Sequence, residues 1–225
     1  MNFLFPGLCA LCGKSFIYAD EIRYALCIKC RLSIIPVQDN KCNICGKPLI
    51  SCKDTCLECR NTQRSYDRLW VLYPYIGKYR KLLTAYKFGK RLALSVFLAE
   101  KIMETIKNNP VLKDAVIVPV PPRPGKIKYL GWDQIDYLSK VLKKYSGNQT
   151  VSYCLKRSKS KIQKRLNRTQ RIENLKGRIY LKKSAPKTVL LIDDVTTTGS
   201  TMEVCAHVLK EGGSKKVYAV SLFYN

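Results

Sequence analysis

The string TVLLIDDVTTTGST, Thr188 to Thr201, sets two adjacent carboxylates between an apolar run and a cluster of small hydroxyl residues around one glycine. Read as structure, Val189 to Ile192 is a buried strand that delivers Asp193 and Asp194 at its carboxyl end. Val195, Thr196, Thr197, Thr198, Gly199 and Ser200 then form a loop, and a helix starts near Thr201. Such a strand–loop–helix turn binds anions, because loop amides and the helix dipole both favour negative charge there. The hydroxyls of Thr197, Thr198, Ser200 and Thr201 add donors, and Gly199 lets a ligand approach the backbone closely. The carboxylates suit another task. They can accept hydrogen bonds from vicinal ribose hydroxyls, hold Mg²⁺ directly or through water, and stabilise an oxocarbenium-like transition state. Two aspartates after a strand also serve as an ordinary helix cap, but the whole string points to a phosphorylated ribose. It is neither a GxxxxGK[ST] nor a GxGxxG motif.

A second constellation is sulfur. Nine of the eleven cysteines fall between Cys9 and Cys59, eight of them in four CxxC pairs: Cys9 and Cys12, Cys27 and Cys30, Cys42 and Cys45, Cys56 and Cys59. A CxxC turn aims two thiolates at one point, and two turns complete a tetrahedral zinc site. Two structural zinc ions are expected, with all eight ligands thiolate and no open position for a catalytic water. The metal then supplies folding energy to a segment with little core of its own. Short loops favour joining the first pair to the second and the third to the fourth, although interleaving satisfies the same spacing. Cys52 is a ninth thiol able to stand in for Cys56.

Positive charge is the third feature. The chain carries 41 basic and 16 acidic residues, a formal net charge of +25. Eight zinc-bound thiolates with two Zn²⁺ would lower this to about +21. Such an excess selects polyanionic partners. From Lys156 to Lys187 there are 13 lysines and arginines and one acid, Glu173. This stretch reads as a long basic loop, with Arg157, Lys161 and Arg171 placed to neutralise a pyrophosphate or to follow a nucleic-acid backbone. Arg123 and Lys126, in the proline-rich turn after another apolar run, are further pyrophosphate candidates. Lys87 and Arg91 flank a helix break and face either solvent or a polyanion. Trp132 stacks a base or, more simply, packs. One histidine, His207, leaves no Ser-His-Asp or Cys-His machinery.

These groups must be positioned by a definite scaffold. Composition shifts near Arg60, which places a metal-stapled module at about 1–62 and an α/β domain at about 63–225. Strands are expected at Tyr66–Ile76, Ala115–Val120, Val151–Leu155, Thr188–Ile192 and Lys216–Phe223. Helices are expected at Lys78–Phe88, Leu92–Lys107, Trp132–Tyr145 and Thr201–Lys210. Alternation of the two implies a parallel or mostly parallel sheet flanked by helices. No run of 18 apolar residues and no basic leader appears, so a cytoplasmic chain without a membrane span is expected.

With these residues in view, the chain resembles the ComF/ComFC family, the phosphoribosyltransferase-like competence proteins that join N-terminal CxxC zinc modules to such a domain. Besides the 188–201 string, the resemblance rests on Tyr75-x-Gly77 with Leu82 and Lys87-Phe88-Gly89. It rests also on Val118-Pro-Val-Pro-Pro with Gly131 and Gln134, and on Leu155-x-Arg157 with Gln163, Leu166, Arg171 and Asn174. It implies a type I phosphoribosyltransferase-like sheet and Mg²⁺-dependent binding of 5-phosphoribosyl pyrophosphate. It further implies a role in natural transformation, where imported single-stranded DNA is handled with a helicase-like competence protein. Purine-salvage relatives carry an acid at the position of Thr197, which makes a purine acceptor less expected here. Phosphoribosyl transfer and a non-catalytic, single-stranded-DNA-binding accessory role with a regulatory or vestigial pocket remain two open readings.

Overall fold

The computed structural model describes residues 7–36, 40–49, 54–145, 147, 149–158 and 168–225, with backbone only at Arg168, Thr169 and Arg171. Cys52 and Lys161 lie outside the described residues.

Four strands make one parallel sheet. They are β1 (Arg68–Pro74), β2 (Val116–Pro119), β5 (Thr188–Thr196) and β6 (Lys216–Tyr224), in the order β1-β6-β5-β2. The apolar runs are nearly continuous because both faces are covered, as parallel sheets require. Alternate residues part to opposite sides. Leu190, Ile192, Val220 and Leu222 face α4 (Gly77–Lys87), α5 (Leu94–Lys107) and α7 (Gln134–Tyr145). Val189, Leu191, Val217 and Ala219 face α9 (Ser200–Glu211) and the basic excursion. Each such side chain, fully buried, contributes about 1.5–3 kcal/mol.

The expected parallel sheet flanked by helices is therefore present, with three local differences. Val151 makes only an isolated parallel bridge to Ile117, and the chain then leaves the sheet. Leu155–Arg157 (β3) instead pairs antiparallel with Ile179–Leu181 (β4), for which no strand was expected. The segment 156–176 is not all loop: Arg168–Leu175 forms a helix, α8, packed on α9 through Ile172 and Leu175. An apolar pair three residues apart in a basic run is too short a signal to read as a helix. Finally, β5 runs on to Thr196, so Val195 and Thr196 belong to the strand rather than to the following loop. The reason is register: Asp193 lies opposite Ser221, Val195 opposite Phe223 and Thr196 opposite Tyr224, so pairing with β6 carries the strand past Ile192, where pairing with β2 ends.

The N-terminal segment holds α1 (Ala19–Tyr24), α2 (Ile28–Ser33) and α3 (Leu57–Asn61) between its cysteine turns. Its first half docks on α5, where the Tyr24 hydroxyl donates to Glu100 Oε1 at 2.7 Å. Its second half lies against the edge strand β1: the Leu69 amide donates to the Ile44 carbonyl at 2.7 Å, and Lys41 Nζ to the Val71 carbonyl at 2.9 Å. An otherwise open sheet edge is thereby covered. Among the described residues, no helix is long and apolar enough to cross a membrane.

Candidate functional site

Parallel sheets place ligands in the crevice beyond the carboxyl ends of their strands, and the expected residues gather there. Asp193 and Asp194 stand near the end of β5. The turn Thr197–Gly199 leads into α9, whose first residue is Ser200 rather than Thr201, and Gly199 is its N-cap at φ 72°. That left-handed conformation strains any residue with a Cβ, which explains the glycine. The Thr198 and Ser200 hydroxyls lie 2.7 Å apart, Ser200 is buried, and Thr197 is exposed.

The two carboxylates differ in their surroundings. Asp194 is 7% exposed. Its Oδ2 accepts from Lys87 Nζ at 2.7 Å and from Gln134 Nε2, and its Oδ1 accepts from the Val195 amide at 2.9 Å. Burial opposes its ionisation, but the Lys87 charge and the hydrogen bonds outweigh that and hold the carboxyl below its ordinary value. Asp193 Oδ1 accepts only the Asp194 amide at 2.8 Å among the bonds described. Burial first, and then the Asp194 charge, push its carboxyl well above the usual range. One acid of the pair is thus biased toward the anion and its neighbour toward the neutral form, a separation typical of functional carboxylate pairs.

A polar chain extends from Asp194. Gln134 accepts from Lys126 Nζ while donating to Asp194, and Lys126 also pairs with Asp133, which is 4% exposed. Asp133 Oδ1 caps α7 by accepting the amides of Ile135 and Asp136 at 2.9 and 3.0 Å. The Tyr86 hydroxyl donates to the Gln134 carbonyl at 2.7 Å, and Trp132 packs edge-on against the Tyr86 ring with centroids 5.4 Å apart. Lys126 is therefore bound to Asp133 and Gln134 instead of standing over the crevice as a free cation. Trp132 takes the packing role.

Of the remaining basic candidates, Arg123 is exposed and Arg157 half-buried. Burial and then the neighbouring Arg123 charge lower the Arg157 pKa, while Asp193 acts in the opposite sense. The Nε of Arg157 is buried without a partner among the described residues. Two arginines repelling each other beside a carboxylate pair form a site that an anion would relieve. Arg171 lies on α8, but its side chain is outside the description, as is Lys161 altogether.

The cysteines gather as two groups with sequential pairing, which decides the alternative left open by spacing. Cys9, Cys12, Cys27 and Cys30 form one group and Cys42, Cys45, Cys56 and Cys59 the other, with the four sulfurs of each within 4.8 Å of one another. The separations Cys12–Cys27 and Cys45–Cys56 are both 3.7 Å. Zinc–sulfur bonds of about 2.3 Å in a tetrahedron require sulfurs about 3.8 Å apart, so both groups fit the ion. Burial opposes the Cys9 thiolate, yet amides of Cys27, Cys12 and Leu11 bring its pKa down to about 7. Amides of Cys45, Cys56 and Ile44 do the same for Cys42, also to about 7.

Sequence reasoning gave Gln134 no role of its own and assigned none to Tyr66 or Glu203. Tyr66, 2% exposed, has a hydroxyl with no partner among the described residues, and a Cβ on Gly199 would lie 3.5 Å from it. Nothing in its local sequence marks it.

Comparison with known proteins agrees with this architecture. Residues 1–60 match the family model of the double zinc ribbon domain, and residues 136–225 that of the phosphoribosyl transferase domain. Competence protein F of Haemophilus influenzae is 27% identical, covering 96% of both chains. Competence protein ComFC of Streptococcus pneumoniae is 26% identical over 95% of this chain and 98% of its own. DNA utilization protein YhgH of Escherichia coli K12 is 26% identical over 94% of each. Among solved structures, an HPRT alanine mutant of an invariant aspartic acid aligns over 61% of this chain and 69% of its own, at 13% identity and a TM-score of 0.37. With its two cysteine tetrads and its parallel sheet, the chain joins a double zinc ribbon to a phosphoribosyl transferase domain and is similar over nearly its full length to the ComF/ComFC competence proteins.

Proposed function

We propose that the crevice at the end of β5 binds 5-phosphoribosyl pyrophosphate as its Mg²⁺ complex. The observation that carries this reading is the Asp193–Asp194 pair near the end of β5, with the turn 197–199 and the start of α9 close behind it. Amides and hydroxyls from Thr197 to Thr201 would cradle the 5-phosphate. Asp193 and Asp194 would take the ribose hydroxyls, with Lys87 and Gln134 fixing the Asp194 carboxylate. Arg123 and Arg157 would face the pyrophosphate. Mg²⁺, a hard cation suited to carboxylate and phosphate oxygens, would offset charge on the pyrophosphate, and its own charge would favour the anionic form of Asp193. If transfer to a nitrogen acceptor occurs, the paired acids would stabilise positive charge growing at the anomeric carbon. Thr197 in place of an acid disfavours a purine acceptor.

The names of the relatives, competence and DNA utilization proteins, together with the +25 charge, support a cytoplasmic role in handling imported single-stranded DNA beside a helicase-like partner. In that setting the pocket is a binding or regulatory site, whether or not transfer follows.

Calorimetric titration of phosphoribosyl pyrophosphate with Mg²⁺ tests the pocket in wild type and Asp194→Asn. Saturable binding in wild type, lost in the variant, is expected. No binding to folded, zinc-loaded wild type would sink this reading and leave nucleic-acid handling alone.

A further inference from the structure

In the segment 62–67 that joins the second zinc ribbon to β1, Arg64 and Ser65 reach in opposite directions. Arg64, its side chain only 2% exposed, donates from Nε to the Cys59 sulfur at 3.4 Å and pairs through Nη2 with Glu58 Oε1 at 3.1 Å. Cys59 is a member of the second tetrad and Glu58 precedes it on α3. Ser65 turns the other way: its amide and its hydroxyl both donate to Glu203 Oε1, at 2.9 and 2.7 Å. Glu203 stands in the first turn of α9, where its own amide donates to the Gly199 carbonyl at 2.9 Å. Tyr66 follows with its buried hydroxyl directed at Gly199.

From this geometry we infer that Arg64, Ser65 and Glu203 form a strut through which zinc in the second ribbon and the start of α9 hold each other in place. A hydrogen bond to a metal-bound thiolate fixes the orientation of that ligand, so Arg64 is tied to the state of the tetrad. The neighbouring backbone of Ser65 cannot shift without moving the Glu203 carboxylate. That carboxylate is attached to the turn of helix whose amides open onto Gly199. Glu203 is a positioning residue here, acting through Ser65. The first ribbon has no part in this route, since it docks on α5 through Tyr24 and Glu100. It serves as an internal control.

Coupling between two sites is reciprocal. Loosening the α9 end of the strut must therefore loosen the second tetrad, and a ligand that orders the loop must tighten it. The second consequence rests on the phosphate role proposed for the loop; the first does not.

The test uses zinc-loaded, full-length protein exposed to a chelator and pulsed with a thiol-alkylating reagent. Peptide mass spectrometry then reads each ribbon separately in the same molecule. Glu203→Ala is expected to speed alkylation of Cys42, Cys45, Cys56 and Cys59 by about fivefold or more, the low end of usual coupling. Cys9, Cys12, Cys27 and Cys30 stay at the wild-type rate. Glu203→Gln keeps an oxygen for Ser65 to bond and returns the second ribbon close to wild type. Ser65→Ala, which removes only one of the two bonds and is mild enough to fold, moves the rate in the same direction by less. Unchanged rates in Glu203→Ala and Ser65→Ala, or equal acceleration of both ribbons, overturn the strut. Adding phosphoribosyl pyrophosphate with Mg²⁺ to wild type slows the second ribbon alone. If the variants respond but this ligand does nothing, the strut stands and the phosphate reading of the loop falls.

Discussion

Asp193 and Asp194 share a strand and a peptide bond, yet their pKa values are displaced in opposite directions: burial and the Asp194 charge raise Asp193, whereas at Asp194 the Lys87 charge and the hydrogen bonds outweigh burial. Lys87 is 28% exposed at its side chain and Asp194 9%. Removing one partner of a fully buried pair costs about 3–5 kcal/mol, so Lys87→Met should cost somewhat less than that at neutral pH. The sign with pH follows from the direction of the shift. The folded-state pKa of Asp194 is depressed, so its stabilisation is complete above the unfolded value of about 3.9 and is lost as pH falls through the lower folded value. The melting temperatures of wild type and Lys87→Met should therefore differ at neutral pH and converge in acid. A gap that persists unchanged as acid protonates Asp194 in the folded state would mean that Lys87 acts by packing. The position of Asp193 and Asp194 near the end of a buried strand was legible in the sequence from their place between an apolar run and a hydroxyl-rich loop. Their inequality was not, because Lys87 and Gln134 are distant in sequence and reach Asp194 only through α4 and the start of α7.

At the scale of elements, the first cysteine turn of the second ribbon is fitted to the sheet edge. Gly46 has φ +67°, and a Cβ there would stand 2.7 Å from the Leu69 carbonyl oxygen and 2.9 Å from Val71 Cγ2. Gly13, at the matching place in the first ribbon, has φ +74° with nothing within 4 Å. Both Gly→Ala changes carry the left-handed penalty of about 1–2 kcal/mol. Gly46→Ala adds a clash with β1 and should lower the melting temperature clearly more than Gly13→Ala, as differential scanning calorimetry will show. Equal losses would mean that the ribbon edge can shift away from β1 at no cost. The strands and longer helices were readable from apolar periodicity, since Val189–Ile192 and Leu94–Lys107 carry clear patterns. The β3–β4 pair and α8 were not. Their apolar content is a few residues within a basic run, and they take form by packing on α9 and on each other.

Over the whole molecule, the excess of positive charge is the dominant feature. Reversing charge at Lys164, Arg165 and Arg168 should weaken single-stranded DNA binding and flatten its salt dependence, because each phosphate contact contributes about 0.7 to the slope of log K against log salt. Filter binding across a salt series measures this, and an unaltered slope would remove the basic segment from DNA contact. The sequence by itself determined the fold class, the four cysteine pairs and the place of the glycine turn that opens α9. Each rests on residues close together in the chain, whose spacing dictates local geometry: CxxC turns, an apolar strand, a glycine at a helix start. Only the tertiary structure decided how the four cysteine pairs join, which carboxylate is held ionised, and that Lys126 belongs to Asp133 and Gln134. It also brought Arg64, Ser65 and Glu203 into one path between a zinc ribbon and α9. Those facts depend on side chains up to 138 residues apart, and no local pattern encodes a distance that only the packed chain creates.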